Sequence, residues 1–375
     1  MKVLVAHSMA EAVSGAELAI ADMVRKRSQS VEYTMLTPGM GQLASYYEQS
    51  GFPVWARKLQ TRRRKYPGLH SVQSGLFALR FKEERFDAVL CNTFGAAARV
   101  GTACRLAGIP YAIYVREYIR KTRLHKRILN SANRVFAVSH DVAAFLSDVV
   151  PGTRLRVVPD HIDIEPLRKR LSQHRGSGNR ALPYGSETPV VGYVGRITRY
   201  KQPDLFVRSI PNIISRVPDA RFVIVGSSSE VEKDFELSLL DQIADSGVKG
   251  YISFLGQRSD TIEIMSELAA CCVPSVREPF PRVVLEAQLS KCPVVASDCG
   301  GCPEMIEDHE TGLLFSANAP DGHLQLADRV HEILGKPKER GRMVSNAYDR
   351  LMRTFASDRP VRVLESEFLD MICNP

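Results

Sequence analysis

Glu278 and Glu286 stand in one short stretch of this 375-residue chain with seven residues between them, and Pro281 falls inside that interval. Carboxylates accept hydrogen bonds from hydroxyl groups, so the two glutamates suit a ligand rich in hydroxyls. Pro281 suits the first position of a helix, where its fixed φ fits and its missing N–H would be unpaired anyway. The stretch predicts a helix from about 282 to 290, stopped by Cys292-Pro293 and followed by an apolar strand over 294–296. The free N–H groups and the dipole at the start of such a helix form a site for a phosphate. A carboxylate on each side of a phosphate-sized gap is odd for a bare anion and makes sense for an anion that also carries hydroxyls. Upstream, a predicted strand over 190–195 runs into Arg196 and Lys201. A guanidinium fork and an ammonium point charge are both phosphate binders. Taken alone, two cations on a surface loop would look the same.

The elements that must position these side chains alternate in type. In the first half, apolar runs at 3–6, 31–36, 53–56, 87–91, 109–115, 134–138 and 155–158 read as strands between helical stretches. The second half adds strands at 220–225, 251–255 and 270–274. That alternation argues an α/β class with parallel sheets flanked by helices. At this length two domains are expected, each with its own core. A polar, glycine-containing segment at 171–189 reads as the linker between a domain over 1–170 and one over 190–355.

Composition is that of a globular protein, 44% hydrophobic and 25% charged. The first residues are too short an apolar run for a signal peptide and read as a strand, and no apolar run approaches the roughly twenty residues a membrane span needs. The eight cysteines are then expected as mostly buried thiols in a reducing cytosol. The net charge of +8 is uneven: residues 1–189 hold 29 Lys and Arg against 15 Asp and Glu, or +14, and the remaining 21 against 27 give −6. Such asymmetry points to an acidic partner on the first half.

The run Glu278-Pro279-Phe280-Pro281 through Glu286-Ala287 resembles the donor site of the family 4 glycosyltransferases, whose pattern is Glu-Pro-Phe-Gly, four variable residues, then Glu-Ala. Pro-Val-Val-Ala-Ser, then Gly-Gly-x-Pro-Glu, then Thr311-Gly312-Leu313-Leu314 follow at matching spacing, and Gly-Arg, four residues, then Lys precedes them at 195–201. The resemblance covers most of the chain, most strongly 190–316. It implies the GT-B fold, two Rossmann-like doubly wound domains facing across a cleft, with 356–375 crossing back to the first domain. It also implies transfer of a sugar from a nucleotide-diphosphate donor to an acceptor, with retention of configuration and neither metal nor cofactor. By the same token Arg196 and Lys201 hold the diphosphate, Glu286 the ribose and Glu278 the donor sugar, which makes Arg196, Lys201 and Glu278 the catalytic candidates. Gly15, Gly256, Phe280, Pro281, Arg282 and Val283 complete the donor site. Pro281 departs from the family's Gly and removes a backbone N–H, so phosphate binding leans more on side chains. Only Gly15 of a Gly-Gly pair remains after the first strand, where a plain helix start with Ser14 as N-cap is an equal reading.

Two basic stretches sit in the first half. Residues 57–65 carry Arg57, Lys58, Arg62, Arg63, Arg64 and Lys65 beside Trp55 and Tyr66, and 116–127 carry Arg116, Arg120, Lys121, Arg123, His125, Lys126 and Arg127. Each reads as a solvated loop or as a dock for anionic headgroups or a phosphate-bearing acceptor. Where relatives have a His and an acid, this chain has Arg116-Glu117, which moves Arg116 to an acceptor or donor phosphate. The expected partners are therefore a nucleotide sugar, a sugar, polysaccharide or lipid-linked anionic acceptor, and a membrane surface met peripherally from the cytoplasm. No nucleic-acid module is recognisable. Cys299 and Cys302 have redox or metal spacing, but no second pair completes a zinc site. An epimerase using the same donor groups, or a silent partner subunit, remains open on sequence.

Overall fold

The computed structural model describes residues 1–11, 15–57 and 67–374. Ser14, Lys58, Arg62, Arg63, Arg64, Lys65 and Tyr66 lie outside the described residues. Contacts divide the chain into two units, residues 1–163 with 357–375, and residues 164–356.

The first unit runs β1 (Lys2–Ala6), α1 (Gly15–Arg25), β2 (Glu32–Thr37), α2 (Gln42–Gln49), β3 (Val54–Ala56), α3 (Pro67–Glu83), β4 (Ala88–Cys91), α4 (Phe94–Ala107), β5 (Tyr111–Val115), α5 (Arg123–Asn130), β6 (Arg134–Ala137), α6 (His140–Leu146) and β7 (Leu155–Val157). Its strands form one parallel sheet of order β3-β2-β1-β4-β5-β6-β7. β4 and β5 are buried along their whole length, as parallel strands covered by helices on both faces must be. Helix starts follow the chain's polar punctuation: the hydroxyls of Thr93, Thr122 and Ser139 accept from the backbone N–H of Ala96, His125 and Val142. Gly108, at φ 69°, closes α4 in the left-handed conformation.

The second unit runs α7 (Ile164–Ser177), β8 (Val190–Val194), α8 (Pro203–Ile214), β9 (Arg221–Val225), α9 (Lys233–Asp245), β10 (Ile252–Gly256), α10 (Thr261–Glu267), β11 (Ala270–Val273), α11 (Arg282–Leu289), β12 (Val294–Ser297), α12 (Cys302–Met305), β13 (Leu313–Phe315), α13 (Gly322–Gly335) and α14 (Pro337–Thr354). Its parallel sheet has the order β10-β9-β8-β11-β12-β13. Phe206, Phe222, Ile224, Cys272 and Leu326 are among the fully or nearly fully buried side chains of its core. The polar stretch from 171 begins inside a helix, because Leu171 is buried and Arg170 and His174 bind Glu263 and Glu267 of α10, each at 2.9 Å. Residues 357–375 then return to the first unit as α15 (Arg359–Cys373). There Phe368 packs on Phe136 of β6, and Glu367 bonds Arg134 at 3.1 Å and Arg156 at 2.8 Å.

In each sheet the chain leaves a central strand outward on one side and returns on the other. The reversal falls between β1 and β4 in the first sheet and between β8 and β11 in the second. In doubly wound sheets ligands bind at the carboxyl ends of the strands at such a switch point.

At that end of the second sheet three adjacent strands finish in glycine. Gly195 donates to Val225 O at 2.9 Å and Gly226 donates to Gly256 O at 2.7 Å. A Cβ on Gly226 would lie 1.9 Å from the carbonyl oxygen of Gly195, and its φ is +140°. Both space and conformation therefore exclude a side chain there. Gly226→Ala is expected to cost more than about 2 kcal/mol in chemical denaturation, whereas Gly250→Ala, with nothing within 4 Å of the added carbon, stays near wild type. Equal midpoints for the two variants would contradict this account.

Candidate functional site

The switch point of the second sheet is bracketed by the loops that follow β8 and β11. After β8 the chain passes through Gly195 and Arg196 into a single 3-10 turn, Arg199–Lys201, and Gln202 in the left-handed conformation opens α8. The carbonyl of Tyr200 accepts from Val276 N at 2.9 Å, which ties this turn to the loop after β11. Across that tie Lys201 Nζ donates to Glu278 Oε2 at 2.8 Å, and Ser275 Oγ donates to the same oxygen at 3.1 Å. Both ends of the ion pair are enclosed, with Lys201 15% and Glu278 9% exposed. Burial works against the ammonium, but the Glu278 carboxylate and Tyr200 together hold the lysine pKa above its ordinary value.

Arg196 is exposed beside this pair. Its Nη2 donates to the Tyr200 hydroxyl at 3.0 Å, and its carbonyl accepts from the buried Tyr193 hydroxyl at 2.7 Å. Those contacts aim the guanidinium without neutralising it. Pro281 stands one residue outside α11 rather than at its first position: its ψ of 98° is extended, so Arg282 begins the helix. The first N–H groups of α11 have no acceptor within the helix. Glu286, one turn in, has its carboxylate 3.7 Å from Arg282 Nε. Val283 is half-buried, whereas Phe280 is buried against Phe355 with ring centroids 5.6 Å apart and serves packing under the loop. Gly256 ends β10 at φ +64°.

Gly300 and Gly301 have a local reason. Gly301 donates to Glu278 O at 2.8 Å, and a Cβ there would fall 2.3 Å from Pro279 O, so only glycine lets this loop lie against the Glu278 loop. The flanking thiols of Cys299 and Cys302 are free and sit around Ser297, whose hydroxyl donates to Ser275 O at 2.5 Å. Burial raises the pKa of both thiols. Among the described residues no group of three His, Cys, Asp or Glu could hold a metal ion.

The first unit carries a second polar cluster at its own switch point, and sequence reasoning missed most of it. His7 follows β1, Asn92 follows β4 and Arg116 follows β5. Arg116 Nε bonds Asp160 Oδ1 at 2.8 Å, its Nη1 bonds the carbonyl and side-chain oxygens of Asn92, and its guanidinium lies 3.4 Å from the Tyr114 ring centroid. Burial works against its charge, yet Asp160 and Tyr114 hold its pKa above the ordinary value. Arg116 is thus built into the protein and not displayed on its surface, although Nη2 is buried with no hydrogen-bond partner among the described residues. His7 Nδ1 is 3.5 Å from Asn92 Nδ2, and burial, with Arg116 nearby, lowers its pKa to about 3. Glu117 and Gly15 are exposed, Gly15 as the first residue of α1. The signal that marks the cluster is simple: each of these residues is the first polar one after an apolar strand.

Two outcomes follow from these burials. Lys201→Met strands a buried carboxylate and is expected to cost about 3 kcal/mol, most of which Glu278→Gln in the same chain recovers; strictly additive losses would exclude the pairing. The folded state keeps His7 neutral where the unfolded chain takes up a proton below about pH 6.5, so this contribution is complete above that pH and is lost as pH falls toward 3. Between pH 7 and 4.5 the wild type should lose about 2–3 kcal/mol more than His7→Gln. Parallel stability curves would remove His7 as the cause.

Two family models match the chain: "Glycosyl transferases group 1" over residues 180–350 and "Glycosyltransferase Family 4" over residues 13–166. The D-inositol 3-phosphate glycosyltransferase of Nocardia farcinica is 27% identical over 297 residues, 76% of this chain and 63% of that protein. The Corynebacterium glutamicum protein of the same name is 30% identical over 227 residues, 59% and 53% of the two chains. The chain thus spans between about half and two thirds of the length of these curated relatives. Among solved structures, Anabaena HepE in complex with UDP superposes with a TM-score of 0.80 at 22% identity, covering 99% of this chain and 100% of that one. A glycosyltransferase from Rickettsia africae does so with a TM-score of 0.80 at 17% identity, over 100% and 99%. Two matched models in series, over two switch-point sheets of this topology, place the chain in the family 4 glycosyltransferases, with their GT-B fold.

Proposed function

We propose that this protein transfers a sugar from a nucleotide-diphosphate donor, bound by the second unit, to an acceptor bound by the first, with retention of configuration. The observation that carries the reading is the buried Lys201–Glu278 pair across the β8/β11 switch point. An ammonium and a carboxylate that neutralise one another at rest can each take a better partner from one ligand: the lysine a diphosphate oxygen, the glutamate a sugar hydroxyl. Arg196 adds a second cation on the exposed side, the start of α11 caps a phosphate, and Glu286 accepts from ribose hydroxyls. Cations fixed at the diphosphate stabilise the charge that develops as it leaves. That lets the acceptor attack without a protein nucleophile. HepE structures in complex with UDP, with UDP and glucose, and with UDP-glucose make UDP-glucose the first donor to assay.

On the acceptor side, the excess of cations in residues 1–189 favours a phosphate-bearing acceptor, free or lipid-linked. The relatives named D-inositol 3-phosphate glycosyltransferase supply a polyol phosphate to try first.

Transfer from a panel of nucleotide sugars, with inositol phosphates and lipid-linked phosphates as acceptors, tests the reading; no turnover with any pair would remove it. Arg196→Ala, which breaks no buried pair, should keep the fold and lower kcat/KM by about 10- to 150-fold, the worth of one charge-assisted contact. Glu286→Gln should weaken nucleoside diphosphate binding in calorimetry by about tenfold. Wild-type constants for both variants would reject these site assignments.

A further inference from the structure

Helix α3 is apolar on two opposite sides. One side is buried: Phe77 and Phe81 pack against Trp55, and Phe81 against Phe86. The other carries Val72, Leu76 and Leu79, spaced by four and three residues, each more than 60% exposed. That spacing makes one continuous stripe along the helix. A helix apolar all round is normally covered all round.

The stripe does not stand alone. α3, α4 and α5 are successive crossovers from β3 to β6, and right-handed crossovers set them in one layer on one face of the sheet. Phe94 at the start of α4 and His125 of α5 are in contact, with ring centroids 4.6 Å apart. The outer surface of this layer also exposes Leu106 on α4 and Leu124 on α5. On α5, next to Leu124 in sequence, Arg123, Lys126 and Arg127 are exposed, with no acidic residue within the helix.

We propose that this layer docks on an anionic lipid bilayer: the stripe Val72-Leu76-Leu79 enters the headgroup and acyl boundary while Arg123, Lys126 and Arg127 meet lipid phosphates. An apolar row in the same helix layer as exposed cations is complementary to a surface that is apolar within and anionic at its rim. A second copy of this chain fits less well, because a two-fold contact through this face would bring two cation clusters together. Docking here would carry the proposed transferase to a lipid-linked acceptor and rests on that reading for its purpose. It is measured without turnover, so the two can fail separately.

The test is co-sedimentation of the full chain with phosphatidylcholine vesicles containing increasing phosphatidylglycerol. Binding should rise with anionic lipid and fall with salt. The triple change Arg123→Ser, Lys126→Ser, Arg127→Ser should lower the partition coefficient on the order of a hundredfold. Val72→Ser, Leu76→Ser, Leu79→Ser should lower it on the order of tenfold or more, and the exposure of these positions leaves the fold intact. A Leu76→Trp variant with Trp55→Phe should shift its emission to the blue on vesicle addition. Binding insensitive to the apolar triple change, or a tryptophan that stays in water, would overturn insertion. A dimer in light scattering that the apolar triple change dissociates would assign the face to a second copy instead. Donor hydrolysis in solution should be equal in all variants; its loss would show damage to the enzyme and take the variant out of the comparison, with the single change Leu76→Ser then deciding.

Discussion

The buried contact between Lys201 and Glu278 is the constraint on which the second unit's site depends. Each charge would be costly alone in that enclosure, and together, with Ser275 donating to the same carboxylate, they make a neutral and satisfied cluster. The pair also fixes geometry. It joins the loop after β8 to the loop after β11, and those loops carry Arg196 and the approach to α11. The carbonyl of Tyr200 bonded to Val276 N, and Gly301 bonded to Glu278 O, hold the same arrangement through the backbone. A ligand that engages both charges meets groups already in place.

The first sheet solves a similar problem with different residues. Arg116 and Asp160 form its buried pair, Asn92 accepts from the same guanidinium, and His7 stays neutral beside it. Neutrality of His7 is a consequence of placement: a ring cut off from water next to a fixed cation cannot hold a second positive charge. Both units therefore keep charge at a sheet switch point by compensating it internally, and in both the exposed neighbourhood is left to simpler side chains.

Strands were legible because parallel strands are contiguous apolar runs, and the helix after Pro281 was legible to within one residue because proline and the Cys292-Pro293 stop punctuate it. The glutamates and cations of the second unit could be found from spacing. Their mutual bond could not, since it joins positions 77 residues apart and each had been read for its own ligand. His7, Asn92 and Asp160 each carry the local mark of a polar residue closing an apolar strand, but only the order of strands in the sheet brings them together. Arg116 was read as a displayed cation, and only the Asp160 contact shows that it is enclosed. The start of 171–189 read as a linker because α7 is held to α10 by the Arg170–Glu263 ion pair and the His174–Glu267 hydrogen bond and not by an apolar stripe. The outward row on α3 was equally hidden, because from sequence two apolar faces look like one core helix.

The return of α15 to the first sheet has a consequence for the order in which this protein is made. The face of β6 around Phe136, and the guanidinium groups of Arg134 and Arg156, find their cover in Phe368 and Glu367. Those residues leave the ribosome after the whole second unit. At the usual pace of synthesis the intervening 164–356 segment takes on the order of ten to forty seconds, during which the nascent first unit has an uncovered patch. Its final closure therefore waits on translation of the second unit.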